Sequence, residues 1–421
     1  MSSKFVIHGG KPLTGSIKVS GSKNAALPCI AATILGNTPS TLQNVPKIDD
    51  VFKMLEILEY LGAKVDWQKD NLIIDPRPII SKILPHSLVE SLRASILFLG
   101  PLLSRFGEVK MAFPGGCVIG KRSVRAHINA LRDMGAEAIE TQGLLHLKLK
   151  KNIPTKIIMW EISVTATENI LMACANQNDK NLISLAASEP HVQNLCQMLS
   201  KMGAKIKGAG TSSINIQGCK ALKGVTHKVT GDYLEMGLFA IAAATVPGSK
   251  LEITGVETDH LDSFWNKFRE AGVKFKLEKC KATVEYTKKL TSFSKLDTRI
   301  YPGFPTDLQA PFSILMTQSH GVSRIFETLF ESRLNYLYEL EKMGAKIEIY
   351  NPHQALVIGP TQLHGTNVES CDLRAGATLV LAGLIARGQT HVFNINYIDR
   401  GHEKLEEKLN KLGADIERRE I

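Results

Sequence analysis

The sequence has no apolar run long enough to cross a bilayer and no segment typical of a secretory leader. Its longest apolar runs, near Phe239 and Leu379, fall short of the ~18–20 residues that a spanning helix needs. The N-terminus MSSKFVIHGG has no apolar core of the signal-peptide kind. The seven cysteines are odd in number and form no Cys-x-x-Cys pair, which argues against a disulfide framework. We therefore expect a cytoplasmic protein in a reducing compartment, without membrane association.

Signatures of metal and nucleic-acid sites are also missing. The twelve histidines form no H-E-x-x-H motif, and the acids form no EF-hand loop, so the sequence predicts no metal site. The net charge is +10, but lysines and arginines are interspersed with acids and build no polybasic tract. A diffuse positive charge favours small anionic ligands over nucleic acid.

One sequence pattern recurs six times. An amphipathic run ends at a glycine, the next residue is Ala or Val, and a β-prone stretch follows. The six glycines are Gly62, Gly135, Gly203, Gly272, Gly344 and Gly413. Their separations run from 68 to 73 residues, so the chain consists of six units, each the size of one supersecondary motif. Because Gly just after a periodic run is the usual left-handed end of a helix, each occurrence of the pattern predicts a helix-to-strand turn. The units are therefore α/β.

Each unit also contains a segment that is apolar on nearly all faces. These segments begin at Lys23, Leu92, Ala166, Tyr233, Asp307 and Leu373. They predict inner helices buried on all sides and covered by the amphipathic outer helices. Nearly all open with polar residues, which are either ordinary N-caps or, taken together, an anion site built from several helix N-termini.

Six units predict two domains of three units each. One domain is expected over 22–231 and the other over 1–21 together with 232–421. The strand at 5–9 should complete the sixth unit, which ends at Ile421 without room for its last strand. Two chain crossings, near Ser20 and Gly231, would then form a hinge.

The segment FPGGCVIGKR at 113–122 predicts a flexible loop, because Pro-Gly-Gly precedes Cys117. Lys121 and Arg122 follow. Nearby cations and exposure lower the pKa of a thiol and make it a usable acid or nucleophile. The alternative is a glycine turn that happens to carry a cysteine, and the placement of His127 does not decide between the two.

Eight motifs resemble those of the UDP-N-acetylglucosamine enolpyruvyl transferases. In chain order they are GSKNAALP at 21–28, LRAS with Arg93, PGGCVIG with Cys117, SVTATEN from Ser163, FPTDLQA with Asp307, FESR with Arg333, DLRAGA with Asp372 and Arg374, and IDRGHE with Arg400. They keep the family's order from residue 21 to residue 403. The resemblance implies a two-domain inside-out α/β barrel of six βαβαββ repeats, with the active site in the cleft between the domains.

The same resemblance implies a reaction. The enolpyruvyl group of phosphoenolpyruvate would move to the 3-hydroxyl of UDP-N-acetylglucosamine with release of phosphate, which is the first committed step of peptidoglycan synthesis. Both substrates are small molecules, and the family needs neither metal nor cofactor. We expect a monomer.

The family's site residues map onto this sequence one by one. Cys117 is similar to the general acid that protonates C3 of phosphoenolpyruvate, and Asp307 and Lys23 complete the catalytic set. Phosphoenolpyruvate would be bound by Lys23, Asn24, Arg122, Arg333, Arg374 and Arg400. UDP-N-acetylglucosamine would be bound by Arg93, Arg122, Ser123, Val124, Arg125, Ala126, Glu161, Ile162, Ser163, Val164, Asp307, Leu329 and Asp372.

The departures from the family pattern fall on the nucleotide side. Arg125 stands where the family usually has an acid, and Glu161 and Ile162 stand where Lys or Pro is common. Two alternatives are therefore kept open. One is a non-catalytic or altered-acceptor paralogue that binds a nucleotide sugar, and the other is a shikimate-type enolpyruvyl transferase.

Overall fold

The computed structural model describes residues 3–115, 120, 123–150 and 156–421. The chain divides into two compact units, one formed mainly by 21–115 and 123–230 and the other by 3–20 and 231–421. We call them the 21–230 unit and the 231–421 unit. Within the described ranges, no helix combines the length and the apolarity that a membrane crossing requires.

Six amphipathic outer helices end at the repeated glycines. They are Asp49–Leu61, Arg125–Asp133, Pro190–Met202, Asp262–Glu270, Tyr336–Lys342 and Leu405–Lys411. The glycine one or two residues beyond each end has a φ between 76° and 130°. Only glycine adopts this left-handed conformation without a steric cost, so it stops the helix and turns the chain into a strand. The six predicted turns are confirmed.

Six inner helices carry the apolar segments. They are Lys23–Ala32, Leu99–Phe106, Val164–Ala175, Tyr233–Thr245, Thr306–Thr317 and Leu373–Ile385, numbered here as the first to the sixth inner helix. Every residue of the fourth is buried. The second differs from the prediction, because Arg93–Phe98 forms a 3-10 helix before the α-helix begins. Pro101 then falls in the first α-turn, where its missing N–H costs no hydrogen bond.

The strands of the described residues form six sheets, three in each unit. In the 21–230 unit the first sheet has the strand order Thr226–Lys228, Ser40–Gln43, Asn71–Asp75, Lys64–Gln68. The second sheet has the order Glu108–Ala112, Leu144–Leu149, Ala136–Thr141. The third sheet has the order Lys205–Lys207, Ser213–Gln217, Lys180–Ser184, Lys156–Ile158. In the 231–421 unit the fourth sheet has the strand order Lys274–Glu278, Lys281–Glu285, Lys250–Thr254, Thr14–Lys18. The fifth sheet has the order Leu290–Thr291, Ser319–Phe326, Gln354–Gly359, Lys346–Asn351, and Leu296–Asp297 also pairs with Ser319–Phe326. The sixth sheet has the order Asn367–Glu369, Gln389–Phe393, Ser3–His8, Ile416–Glu420. The short helices are Thr33–Leu35, His86–Ser91, Thr258–Leu261 and Asn396–Asp399.

The N-terminal strand completes the sixth sheet, as the sequence predicts. Ser3–His8 runs antiparallel to Gln389–Phe393 on one side and to Ile416–Glu420 on the other. In the other four-stranded sheets this place belongs to the second strand of a hairpin, such as Lys281–Glu285. In the sixth sheet Ser3–His8 occupies this place.

Each unit has its own hydrophobic core, built around its inner helices. One core is drawn from residues between Ala25 and Val229, and the other from residues between Phe5 and Ile416 outside that range. In the 231–421 unit the three inner helices contact one another. The inner helices are apolar along their length, and polar side chains such as Asp232, Asp307 and Asp372 lie at their N-terminal ends.

Candidate functional site

Asp307 contacts two arginines in the 231–421 unit. It lies in the first turn of the fifth inner helix. One carboxylate oxygen pairs with Arg333, and the other lies 2.9 Å from Nη2 of Arg374. The arginine side chains are only 4% and 6% exposed, whereas that of Asp307 is 27% exposed. Two nearly buried guanidiniums therefore hold one accessible carboxylate. The sequence predicted all three residues for the site but not their contacts.

A second layer of hydrogen bonds fixes Arg333. Its Nε donates to Oγ1 of Thr306 (3.3 Å), and that hydroxyl donates to Glu327 (2.9 Å). The buried carboxylate of Glu327 also accepts the backbone N–H of Leu329 (3.0 Å). The carboxylate that orients Arg333 therefore also fixes Leu329, a predicted acceptor contact that is 39% exposed.

Carboxylates surround Arg374 at the start of the sixth inner helix. Asp372 caps this helix, and its Oδ1 accepts the backbone N–H groups of Arg374 (2.7 Å) and Ala375 (3.0 Å). Burial opposes the charge of Arg374, but Asp307 and Asp232 raise its pKa above the ordinary guanidinium value. Asp232 caps the fourth inner helix through the N–H of Leu234. Burial raises the pKa of Asp232, while Arg374 works in the opposite direction. The N-termini of the unit's three inner helices are thus electrostatically coupled.

His402 is a buried partner of Arg374 that sequence reasoning did not select. Its Nε2 lies 3.4 Å from Nη1 of Arg374. Because a guanidinium only donates hydrogen bonds, His402 must accept with Nε2. Arg400, which is half-buried, lies two residues before His402 at the end of the helix Asn396–Asp399. The IDRGHE motif therefore contacts Arg374, and so the group formed by Asp307, Arg333 and Arg374, through His402.

Lys23 begins the first inner helix in the 21–230 unit. Its Nζ lies 3.2 Å from Asp50, and the two side chains are 17% and 3% exposed. Asn24, also half-buried, is the next residue of the helix. An ammonium has three donors, so the bond to Asp50 leaves hydrogen-bonding capacity for an anionic ligand.

Arg93 holds two backbone carbonyls with its guanidinium. It donates to the carbonyl oxygen of Pro114 (3.4 Å) and to that of Ser123 (3.2 Å). These residues lie on either side of the stretch that contains Cys117. Arg93 therefore fixes the described ends of that stretch.

The predicted acceptor segments 123–126 and 161–164 each precede or open a helix. Oγ of Ser123 accepts the N–H of Arg125 (3.0 Å), and Oγ of Ser163 caps the third inner helix at 3.4 Å. The exposed members of the two segments are Ser123, Arg125, Glu161 and Ile162, and the buried ones are Val124 and Ala126. Val124 and Ala126 can therefore offer a ligand little beyond their backbone.

Cys117 and Arg122, the predicted general acid and anion contact, lie outside the residues that the structure describes. Two of the other cysteines are poor substitutes for this role. Burial raises the pKa of Cys174 and of Cys196 to about 12, with nearby carboxylates adding to the effect. Thiols with so high a pKa are weak acids that donate a proton poorly near pH 7.

One group of metal-type ligands occurs in the described part of the chain, formed by Glu257, Asp259 and His260. Both carboxylates are exposed. The group contains no residue predicted for the site, and exposed acids often cluster without a metal.

Comparison with known proteins identifies relatives over the whole length. The sequence profile of the family described as EPSP synthase (3-phosphoshikimate 1-carboxyvinyltransferase) matches residues 7–409. The UDP-N-acetylglucosamine 1-carboxyvinyltransferase of Halothermothrix orenii is 43% identical over 413 residues, which cover 98% of this chain and 99% of the relative. The protein of the same name from Treponema denticola is 41% identical over 425 residues and covers 99% of each chain.

Solved structures agree on the fold. The enolpyruvyl transferase NikO from Streptomyces tendae superposes with a TM-score of 0.89 at 24% identity and 99% coverage of both chains. The EPSP synthase from Acinetobacter baumannii gives 0.78 at 16% identity and full coverage. The predicted enolpyruvyl transferase fold is confirmed. Since the profile match and relatives above 40% identity both extend along nearly the whole sequence, this chain belongs to the EPSP synthase family of enolpyruvyl (1-carboxyvinyl) transferases.

Proposed function

We propose that this enolpyruvyl transferase moves the enolpyruvyl group of phosphoenolpyruvate to the 3-hydroxyl of UDP-N-acetylglucosamine and releases phosphate, the first committed step of peptidoglycan synthesis. The carrying observation is 41–43% identity along the whole chain to six proteins named UDP-N-acetylglucosamine 1-carboxyvinyltransferase. The cluster around Asp307 supports it, because a carboxylate can accept a hydroxyl proton and guanidiniums bind phosphate and carboxylate.

In this proposal, cationic side chains bind phosphoenolpyruvate, which carries up to three negative charges. The residues assigned to it are Lys23, Asn24, Arg122, Arg333, Arg374 and Arg400. Arg333 and Arg374 are already desolvated and oriented by Asp307. A guanidinium preorganised in this way loses little conformational freedom when an anion binds, and its charge is poorly screened by water.

Asp307 has a further role that depends on those arginines. Both of its oxygens are engaged with guanidiniums, and such pairing makes a carboxylate a weak base. When phosphoenolpyruvate shares the charge of Arg333 and Arg374, Asp307 is polarised less and becomes better able to take the proton of the acceptor hydroxyl. Donor binding would thus activate the base.

The proton steps follow the chemistry of an enol phosphate. Cys117 gives its proton to C3, C2 takes on oxocarbenium character, and the sugar oxygen bonds to C2 while its proton passes to Asp307. The Cys117 thiolate then takes back a proton from C3, the C2–O bond to phosphate breaks, and the double bond re-forms. The proton on Asp307 leaves with phosphate or to water.

The acceptor would be recognised mainly by the 21–230 unit. Its proposed contacts there are Arg93, Arg122, Ser123, Val124, Arg125, Ala126, Glu161, Ile162, Ser163 and Val164. The remaining proposed contacts are Asp307, Leu329 and Asp372. We also propose that the protein acts in the cytoplasm, since its cysteines form no disulfide framework, and that it acts there as a monomer.

The names of the relatives favour neither alternative function. The shikimate-type reaction is named for the family profile and for a solved structure at 16% identity, which speaks to fold only. The non-catalytic paralogue rests only on the departures at Arg125, Glu161 and Ile162. The described Asp307, Arg333 and Arg374 are present and in contact, which favours a working site.

A phosphate-release assay tests the proposal. Purified protein with phosphoenolpyruvate and UDP-N-acetylglucosamine should release one phosphate for each enolpyruvyl product, and shikimate 3-phosphate should give none. Release with shikimate 3-phosphate alone would establish the shikimate-type reaction. Tight binding of UDP-N-acetylglucosamine without phosphate release would establish the non-catalytic one.

A further inference from the structure

Asn169 joins three elements of the 21–230 unit through one buried amide. It lies in the third inner helix and is fully buried. Its Oδ1 accepts the backbone N–H of Gly100 (2.7 Å), and its Nδ2 donates to the carbonyl of Ile96 (2.9 Å). Because a backbone N–H only donates and a carbonyl only accepts, these two bonds fix which way the amide points.

The amide orientation determines the tautomer of His127. Nδ2 of Asn169 also lies 2.9 Å from Nδ1 of His127, so Nδ1 must accept and the ring proton resides on Nε2. Nε2 lies 3.1 Å from Oγ1 of Thr165, to which it donates. Burial and then the charge of Arg93 lower the pKa of His127 to about 3. His127 is therefore a neutral imidazole that bridges an amide and a hydroxyl.

The bridged elements all begin with proposed acceptor contacts. Ile96 lies in the 3-10 helix that starts at Arg93, His127 lies in the helix that starts at Arg125, and Thr165 lies in the first turn after Ser163. Their packing is close. A Cβ added at Gly100 would lie 2.1 Å from the backbone oxygen of Asn169, so this contact admits only glycine.

We propose that His127 and Asn169 are positioning residues for the nucleotide sugar, which hold the segments 123–126 and 161–164 at a fixed spacing. The inference rests on the proposed function, because it assumes that these segments bind the acceptor. Neither side chain needs to touch the ligand. A neutral imidazole suits this role, since it donates on one side and accepts on the other without placing a charge in the core.

Two conservative variants remove the bridge without a large change in volume. Thr165→Val deletes the hydroxyl that accepts from His127, and Thr165→Ser keeps it. His127→Asn keeps an acceptor near the Nδ1 position but cannot reach Thr165. We expect Thr165→Val and His127→Asn each to raise the KM for UDP-N-acetylglucosamine about three- to tenfold, the effect of one lost hydrogen bond. The KM for phosphoenolpyruvate should change less than twofold, and Thr165→Ser should behave like the wild type.

His227 provides a matched control in the same unit. It is 2% exposed, burial lowers its pKa to about 4, and its Nε2 lies 3.2 Å from Oδ1 of Asn194. It belongs to the strand Thr226–Lys228, which carries no proposed contact. His227→Asn should lower the melting temperature as His127→Asn does, yet leave both KM values unchanged. If His127→Asn and Thr165→Val alter the acceptor KM no more than His227→Asn does, His127 and Asn169 have only a structural role and the inference is wrong.

Two further measurements complete the test. Nitrogen-15 NMR of the full-length protein should show His127 with its proton on Nε2 and no titration between pH 8 and pH 5, whereas a proton on Nδ1 or a titrating ring would overturn the proposed bridge. Wild-type turnover with both substrates is measured first. Its absence would refute the proposed function, and this inference with it, whereas normal wild-type turnover with silent variants would refute this inference alone.

Discussion

Replacement of Arg374 by methionine removes the guanidinium that links Asp307 to the sixth inner helix while keeping an unbranched apolar stem. The side chain is 6% exposed and lies 2.9 Å from Asp307. Breaking a buried ion pair by removing one partner costs about 3–5 kcal/mol. Asp307 is 27% exposed and keeps its bond to Arg333, so solvent screening and the second partner reduce this cost. We therefore expect the variant to lose about 1–3 kcal/mol of unfolding free energy.

The variant should also lose catalytic activity, separately from its lower free energy of unfolding. If Arg374 binds phosphoenolpyruvate, the variant loses a charge-assisted hydrogen bond worth about 1.5–3 kcal/mol, which is roughly a ten- to hundredfold drop in kcat/KM for that substrate. Arg374→Lys should recover only part of the activity, because an ammonium keeps the charge but lacks the planar fork. The assay is initial-rate phosphate release with phosphoenolpyruvate varied, paired with urea unfolding.

Arg418 is the control within the same unit. Its guanidinium donates to Asp399 at 2.7 Å and 2.9 Å and to Glu406 at 2.7 Å, and the side chain is 35% exposed. Arg418→Met thus breaks more ion-pair bonds than Arg374→Met, yet none at the proposed site. We expect unchanged kcat/KM for Arg418→Met. If the kcat/KM of Arg374→Met also stayed within twofold of the wild type, Arg374 would have only a structural role. It would then be removed from the residues proposed to bind phosphoenolpyruvate.

Three further predictions concern the loop, the acceptor side and pH. Cys117→Ala should retain both substrates in binding assays but lose ~10²–10⁴-fold in kcat, with partial recovery in Cys117→Asp, and a fully active alanine variant would remove Cys117 from the mechanism. Arg125→Asp places a hydrogen-bond acceptor at a proposed contact where the guanidinium can only donate, so it should lower the KM for UDP-N-acetylglucosamine by roughly two- to twelvefold and leave that for phosphoenolpyruvate unchanged, whereas a raised KM would show that the guanidinium itself binds the acceptor. Burial, with the charge of Glu189, raises the pKa of Glu168 well above 4.5, so the folded state holds the proton more tightly than the unfolded state. The contribution of Glu168 to the free energy of unfolding is fully present below about pH 4.5 and is lost as the pH rises through the raised pKa. Urea unfolding between pH 5 and pH 9 should therefore show a loss of stability at high pH in the wild type that Glu168→Gln lacks, and parallel curves would contradict the buried-acid assignment.

The repeat structure was readable from the sequence because local chemistry dictates it. A helix that ends in a left-handed residue needs glycine, so six glycines at even spacing marked six helix-to-strand turns, and all six have positive φ. Segments apolar on every face can lie only in the interior, which identified the inner helices. The N-terminal strand pairs with two strands of the sixth unit, as predicted. Even here the 3-10 start of the second inner segment was not foreseen, because helix type depends on packing around Arg93–Phe98.

The contacts within the site were decided by tertiary structure alone. Asp307 meets Arg333 and Arg374 across 26 and 67 residues, and no local pattern encodes which helix N-termini will converge. The neutral tautomer of His127 depends likewise on an amide 42 residues away whose orientation is fixed by Gly100 and Ile96. A buried asparagine in an otherwise apolar helix was the available signal, because such a group must find partners. The sequence alone thus determined where helices turn and what is buried, through steric and solvation rules that act on each residue. Only the packed chain determined which charges and hydrogen-bonding groups face one another, because those pairings depend on distances between segments that are remote in sequence.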